Sequence, residues 1–316
     1  MAAPMPSERV PLSLTEPGPP TGAKAQDMAS ALVAIIVARD SATVLPSCLA
    51  ALQREGVAAI VIDNASMDAS ARIAEEAGAR VIRNAKNQGY GRAMNIGMRA
   101  ARQPTCLLLN PDLVLAPGSV EALVEAKRRY LEAGLLAPRL VEPDGRLFFQ
   151  PRSMLSLFLQ NEAGVPCVPE GDCCAPFLSG ACLLVDRELV LSLGGFDEEI
   201  FLFYEDDDLC RRVIEAGRSL VHVHDAVATH KRGGSSAKRQ GSVYHARWHR
   251  AWSAGYVARK YGLPEPSWRI FLVNAVKCCG AMITFRRALM ERYAGSAAGA
   301  LSWLRGKSAL SHEGLR

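Results

Sequence analysis

The stretch Phe201 to Arg212 (FLFYEDDDLCRR) sets four carboxylates in succession, Glu205 to Asp208, after an aromatic run and the glycine-rich turn Gly194 to Glu198. Adjacent like charges repel and burial penalises each of them, so the cluster is costly unless water, a cation or a substrate hydroxyl occupies it. A carboxylate beside other carboxylates also has a raised proton affinity, which suits it to accept a proton from a reacting alcohol. Two further acidic loops follow apolar runs: Asp63 and Asn64 after VAAIVI, and Asn110, Pro111 and Asp112 after TCLLL. Asn, Asp and Pro populate turns for local reasons, but equivalent places in successive units favour a shared function.

The elements that must position these groups follow a repeated pattern. Leu32 to Arg39 (LVAIIVAR) reads as a strand buried on both faces, 43–55 as a helix, and Ala58 to Ser66 as the next strand and its exit loop. A helix at 69–77, a strand near 80–83, a helix at 90–102 and a strand at 105–109 continue the alternation. Repeated units of this length predict an α/β fold with a largely parallel sheet and ligands at the carboxyl ends of its strands. After a helix at 119–133, LLAPRLVEPDGRLFF suggests hairpins or edge structure, and 150–176 is irregular. A strand, a helix and the Gly194-Gly195 turn then lead into the acidic helix, with Asp206 and Asp208 expected near its first turn. LVHVHDAVATH reads as one or two strands ending at His230, followed by the basic loop KRGGSS.

Bulk composition narrows the function classes. The 316 residues allow a substantial core, and 37 basic against 32 acidic residues leave a net charge of +5, too small and dispersed for nucleic-acid binding. Residues 1–30 are rich in Pro, Ala, Ser and Gly, lack the apolar core of a signal peptide and are expected to be a floppy leader. No run is long enough for a spanning helix, which predicts a cytoplasmic protein, soluble or peripheral to the inner membrane face. Nine cysteines suit a reducing compartment better than a disulfide scaffold. From Tyr244 onward helices are expected. Trp268 to Tyr293 combine apolar residues with Lys277, Arg286, Arg287 and Arg292, a pattern compatible with anionic lipid, with self-association into a homo-oligomer, or with packing on its own domain.

Four blocks carry a family resemblance: VIDNASMD (Val61 to Asp68), NQGYGRAMNIG (Asn87 to Gly97), LLLNPDLVL (Leu107 to Leu115), and SGACLLV through GGFDE to YEDDDLCRR (Ser179 to Arg212). ATHKRGGSS (Ala228 to Ser236) is a fifth. In this order they resemble a family 2 inverting glycosyltransferase of the GT-A fold, in its rhamnosyltransferase-like branch. The resemblance covers roughly 32–240 and implies a catalytic domain over 31–243 with a helical extension over 244–316.

The resemblance implies roles. Asp63 meets the base or ribose of a nucleotide diphosphate sugar donor, with Arg39 and Asp40 nearby, and Asn87, Gly89 and Arg92 pass near the nucleotide and its phosphates. Asn110 stands where the family's DxD-like motif begins, and Asp112 at its last acidic place. Asp112, with His230 as a second contact, is expected to hold Mg²⁺ or Mn²⁺ against the diphosphate. Asp206 resembles the family base, and Glu205 and Asp208 its orienting or acceptor-binding neighbours. Gly180 and Ala181 leave room for the sugar or are packed densely, and Phe203 and Tyr204 stack on a sugar or wall the domain. The implied activity is inverting hexosyl transfer, L-rhamnosyl from a deoxythymidine or uridine diphosphate donor being the leading choice, to a glycan or lipid-linked hydroxyl. Galactofuranosyl or glucosyl transfer stays open, as does a sugar-nucleotide-binding assembly subunit without catalysis. A nucleotidyltransferase is disfavoured, for no glycine-rich motif is followed by an activating lysine.

Overall fold

The computed structural model describes residues 31–147, 155, 169–231 and 241–312. The expected leader, most of the irregular region and the loop beyond Lys231 lie outside the described residues.

Strand β1 (Leu32–Ala38) is buried along its whole length because both faces of the sheet are covered. Leu32, Ala34 and Ile36 face one core with Leu45, Leu49 and Leu52, while Val33, Ile35 and Val37 face the other with Met94 and Met98. The first core receives helix α1 (Leu45–Arg54), whose first turn carries a proline, a position where the missing N–H costs nothing. The second receives α3 (Tyr90–Ala100). Strands β2 (Ala59–Asp63), β3 (Arg80–Arg83) and β4 (Thr105–Leu109) complete a parallel half, with the short helix α2 (Ser70–Glu76) between β2 and β3.

The order runs β3-β2-β1-β4 and then β8 (Cys182–Asp186), β6 (Ala133–Val141), β9 (Ser219–His230) and β5 (Leu113–Leu115), which makes the sheet mixed, not uniformly parallel. Beyond β5 (Leu113–Leu115) and helix α4 (Ser119–Arg129) the chain forms β6 (Ala133–Val141), which is an interior strand instead of the edge structure expected from its short runs. Its Pro138 sits at a register shift against β9, where a residue without an N–H is tolerated. The Pro-Asp-Gly turn does close a tight bend, with Glu142 N–H donating to the Arg146 carbonyl at 2.7 Å. Strand β7 (Cys173–Cys174) pairs with β9, and β8 (Cys182–Asp186) runs antiparallel to both β4 and β6. Helices α5 (Arg187–Ser192) and α6 (Glu205–Glu215) precede the single long strand β9 (Ser219–His230).

Three helices follow: α7 (Ser242–Lys260), α8 (Ser267–Ile283) and α9 (Arg287–Leu304). The basic amphipathic stretch Trp268 to Tyr293 is therefore two helices, not one, because the chain turns at Phe285 with a left-handed φ of 52°. Helix α7 is fastened to the sheet domain through Ser253 to the Leu202 carbonyl and Tyr256 to Asp197. A small aromatic core of Phe201, Trp248, Trp252 and Trp303 lies between them.

Candidate active site

Register fixes which loops meet. Ala38 pairs with Asp63, and Ile36 with Leu109, so Arg39-Asp40, Asp63-Asn64 and Asn110 to Asp112 all leave the sheet at one edge. The chain crosses there from one side of β1 to the other, the switch point where open α/β sheets take their ligands. The loops are laced together: Asp40 accepts the Met67 N–H at 2.8 Å, and Asp63 accepts the Ser66 N–H at 3.3 Å. Arg39 lies 4.0 Å from Asp40. Asp40 and Ala65 hold left-handed backbones without being glycine, a strain that clusters at ligand sites.

Asn64 is a hub that its sequence position alone does not reveal. Its side chain donates to Asn87 Oδ1 at 2.7 Å and to the Gly89 carbonyl at 3.2 Å, and accepts from the Asn84 amide and the Gln88 N–H. Asn87 in turn accepts the Gly89 N–H at 3.0 Å. Gly89 has φ of 82°, and a Cβ there would meet the Phe201 carbonyl oxygen at 2.4 Å, so only glycine lets this loop dock against the segment entering the acidic helix. Arg92 donates to the Glu198 carbonyl at 2.6 Å and lies 4.0 Å from the Glu198 and Glu199 carboxylates. The expected phosphate-side residue is thus held on the turn that follows Gly195.

The four acids open helix α6, where unpaired N–H groups favour negative charge. Phe203 and Tyr204, with φ of 68° and 69°, form a strained turn immediately before them. Asp206 is held by two backbone donors, Gly180 N–H and Asp207 N–H, each at 3.0 Å. Gly180 is small because a Cβ would approach the Asp206 Cβ to 3.1 Å. The Tyr90 hydroxyl donates to the Gly180 carbonyl at 2.8 Å, and this buried phenol is pushed well up by burial and by the charges of Glu205, Asp206 and Asp112. Burial raises Asp206 above the usual carboxylate range. It raises Glu205 to about 8, with the adjacent Asp206 and Asp207 charges adding to the effect. Glu205 Oε2 is buried and has no hydrogen-bond partner among the described residues.

Asp208 does not join them. Its carboxylate is fully buried and accepts from Arg212 at 2.8 Å, from the Lys260 ammonium and from the Tyr261 hydroxyl at 2.8 Å. These partners make Asp208 an ion-pair joint between α6 and the end of α7. Two residues along a helix point to different faces, so four consecutive acids could not all line one cleft.

Asp112 is brought to the same place from β4. The Asn110 N–H donates to the Ala181 carbonyl at 2.9 Å, next to the Gly180 that holds Asp206. Strand β9 returns His230 opposite Leu113, which sets His230 Nε2 3.4 Å from Asp112 Oδ1. Among the described residues no group of three or more His, Cys, Asp or Glu surrounds a metal position. One carboxylate and one imidazole nevertheless fit a divalent ion whose remaining ligands are phosphate oxygens and water.

Residues 33–193, just over half the chain, match the model of glycosyl transferase family 2. The chain belongs to that family. It is 32% identical over 211 residues to N-acetylglucosaminyl-diphospho-decaprenol L-rhamnosyltransferase of Mycobacterium tuberculosis, an alignment covering 58% of this chain and 69% of the relative. Pre-mycofactocin glycosyltransferase from the same organism is 26% identical, with 69% of this chain and 45% of the relative covered. Among solved structures, the Pyrobaculum calidifontis mannosyltransferase PcManGT with GDP-Man and Mn²⁺ superposes with a TM-score of 0.56 at 16% identity, over 88% of each chain. GalNAc-T7 with UDP, GalNAc and Mn²⁺ gives 0.52 at 14% identity, over 69% of this chain and 47% of that one. These likenesses establish the GT-A arrangement of a central sheet flanked by helices.

Proposed function

We propose that the protein is an inverting hexosyltransferase that moves a sugar, L-rhamnose being the leading choice, from a nucleoside diphosphate to a hydroxyl on a glycan or lipid-linked acceptor. The observation that carries this reading is the shared anchorage of Asp206 and the Asn110 to Asp112 turn on the adjacent residues Gly180 and Ala181. The named activity of the mycobacterial rhamnosyltransferase supports the choice of donor.

In this reading Asp63, Arg39 and the Asn64-held loop Asn87 to Gly89 receive the nucleoside. Asp206 takes the proton of the acceptor hydroxyl while that oxygen bonds to the anomeric carbon and the bond to the nucleoside diphosphate breaks on the opposite face. Its two backbone donors keep the carboxylate aimed, and its raised proton affinity suits the transfer. Glu205 keeps its proton at neutral pH and donates a hydrogen bond to a sugar or acceptor oxygen. Asp112 and His230 would hold Mg²⁺ or Mn²⁺, which supplies charge stabilisation for the departing diphosphate.

The test is a panel of nucleotide sugars with products read by mass spectrometry and anomeric configuration by NMR, in the presence of Mg²⁺, Mn²⁺ or a chelator. Metal-dependent transfer with inverted configuration, lost in Asp206→Asn, is the expected result. Retained configuration would overturn the single displacement. Nucleotide binding without turnover would leave only a binding subunit, and pyrophosphate release would mark a nucleotidyltransferase.

A further inference from the structure

A second site lies among the C-terminal helices. A pocket of about 250 Å³ is lined by Tyr204, Arg247 and Arg250 of α7, Lys277 of α8, and Arg292 and Tyr293 of α9. Four cations converge there, and no carboxylate among the described residues pairs with any of them. Glu291, the neighbouring acid, lies instead against Gly241 and His245. Arg250 sits 6.0 Å above the Phe203 ring and Lys277 5.8 Å above the Tyr293 ring, which orders the two heads without neutralising them. Burial and the charges of Arg292 and Arg250 lower the proton affinity of Arg247, the signature of cations crowded together without a counter-charge. Such crowding is unfavourable in the free protein and is relieved by a multivalent anion, for which guanidinium forks are well matched when it is a phosphate.

Helix α8 supplies both the pocket and an adjoining apolar surface. Ile270, Asn274 and Lys277 line the pocket at helical spacing. Trp268, Leu272, Val276 and Ile283 follow one another along the solvent side, and Phe285 at the turn is 89% exposed. A basic pocket flanked by an apolar helical face matches an amphipathic ligand with a polyanionic head and a hydrocarbon tail. No helix among the described residues is long and apolar enough to cross a membrane.

We propose that Arg247, Arg250, Lys277 and Arg292 form the seat of a lipid-borne diphosphate, the head of the acceptor substrate, with the exposed face of α8 resting in the lipid surface. The inference rests on the glycosyl-transfer reading above and specifies its acceptor as a sugar carried on a polyisoprenyl diphosphate. Tyr204 explains why the two sites belong together. It walls the pocket and stands immediately before Glu205 and Asp206, so the pocket adjoins the start of the acidic helix.

The experiment is vesicle co-sedimentation of the full chain with phosphatidylcholine, with phosphatidylcholine containing undecaprenyl diphosphate, and with phosphatidylcholine containing phosphatidylglycerol. Donor hydrolysis is assayed in parallel. Strong binding only where the diphosphate lipid is present is expected, reduced about tenfold or more in Arg247→Gln/Arg292→Gln, since each basic residue near an anionic surface contributes several-fold. Lys277→Gln, an exposed change, provides the same readout if the double variant folds poorly, and Leu272→Gln/Val276→Gln weakens retention while sparing competition by soluble inorganic pyrophosphate. Equal binding to phosphatidylglycerol vesicles, equal binding to plain phosphatidylcholine, or binding unchanged in the charge variants would each overturn the proposal. Vesicle binding without turnover of any donor would retire the transferase reading and leave the lipid site. Turnover onto a soluble glycan without vesicle binding would do the reverse.

Discussion

The Gly180 N–H lies 3.0 Å from Asp206 Oδ2, and the two residues are so close that a Cβ at position 180 would stand 3.1 Å from the Asp206 Cβ. A carboxylate approached this closely by the turn that leads into strand β8 is aimed by backbone, which does not relax as a side chain would. Gly180→Ala should displace Asp206 by a few tenths of an ångström and lower kcat about tenfold with little change in donor KM, because misplacement costs the chemical step. Asp206→Asn should lower kcat by roughly 10²–10⁴. Steady-state kinetics on both variants check this, and equal losses in kcat and in donor affinity would count against Asp206 as the base.

Glu205 carries a stability cost with a definite sign. Its carboxyl is raised from 4.5 to about 8 in the folded protein, so between those pH values the unfolded chain releases a proton that the folded one keeps. Stability attributable to this group is therefore present below about pH 4.5 and falls as pH rises toward 8. Glu205→Gln keeps the shape and removes the titration. Its melting temperature should exceed that of the parent protein at pH 8, and the gap should narrow steadily as pH falls to 5. Thermal melts across that range measure it; a constant gap would show that burial is not the cause.

The alternating strands and helices up to Leu109 are legible because parallel strands covered on both faces need continuous β-branched runs, as β1 has, and helices packed on them need apolar spacing, as α1 has. The loop acids Asp63, Asp112 and Asp206 are legible for a related reason, since each follows or precedes such a run. What escaped depends on partners distant in sequence. Asp208 looks like a member of the acidic cluster until Lys260 and Tyr261, on another helix, claim its oxygens. Asn64 looks like an ordinary turn residue until the loop Asn84 to Gly89 folds over it. Interior placement of β6 is decided by β8 and β9, which come later in the chain, while its short runs and the Pro-Asp-Gly turn after it suggested hairpins or edge structure.

The loop-holding role of Asn64 separates cleanly from chemistry. Asn64→Ala removes the amide that binds Asn87, Gly89, Asn84 and Gln88 and leaves buried donors and acceptors unsatisfied, a loss of about 1–3 kcal/mol. Because that loop lies beside Asp63, nucleotide affinity should fall several-fold more than kcat. Calorimetric titration with the nucleoside diphosphate, alongside kcat, distinguishes this from a general loss of fold.

Asp208 should behave as a joint and not as a site residue. Lys260→Met leaves its buried carboxylate with Arg212 and Tyr261 only, and loosens Asp197 at the same time. Breaking a buried pair from one side costs about 3 kcal/mol, here reduced by the remaining partners. The expected outcome is a lower unfolding midpoint in urea with kcat/KM of the folded protein within about twofold of normal, twofold being well under 1.4 kcal/mol. A large loss of acceptor kcat/KM without loss of stability would return Asp208 to the acceptor site.

Acid should loosen the attachment of the helical extension first. His249 of α7 is fully buried and stacked on Phe201 at 4.4 Å, and neither ring nitrogen has a hydrogen-bond partner among the described residues. Burial, with His312 and His245 nearby, lowers it from 6.5 to about 3. The unfolded chain therefore binds a proton below about pH 6.5 that the folded chain refuses until about pH 3, so this stability is complete above 6.5 and declines through that window. His222 on β9, lowered to about 4 mainly by burial, acts in the same direction from another part of the fold. At about pH 5 the His249 contribution lost is about 2 kcal/mol. His249→Phe should flatten part of the acid decline while leaving the His222 share, and hydrogen exchange at pH 5 should show α7 amides near Phe201 opening faster in the parent protein than in the variant. Identical acid profiles for the two proteins would mean that the buried imidazole finds a proton acceptor on folding, contrary to its surroundings.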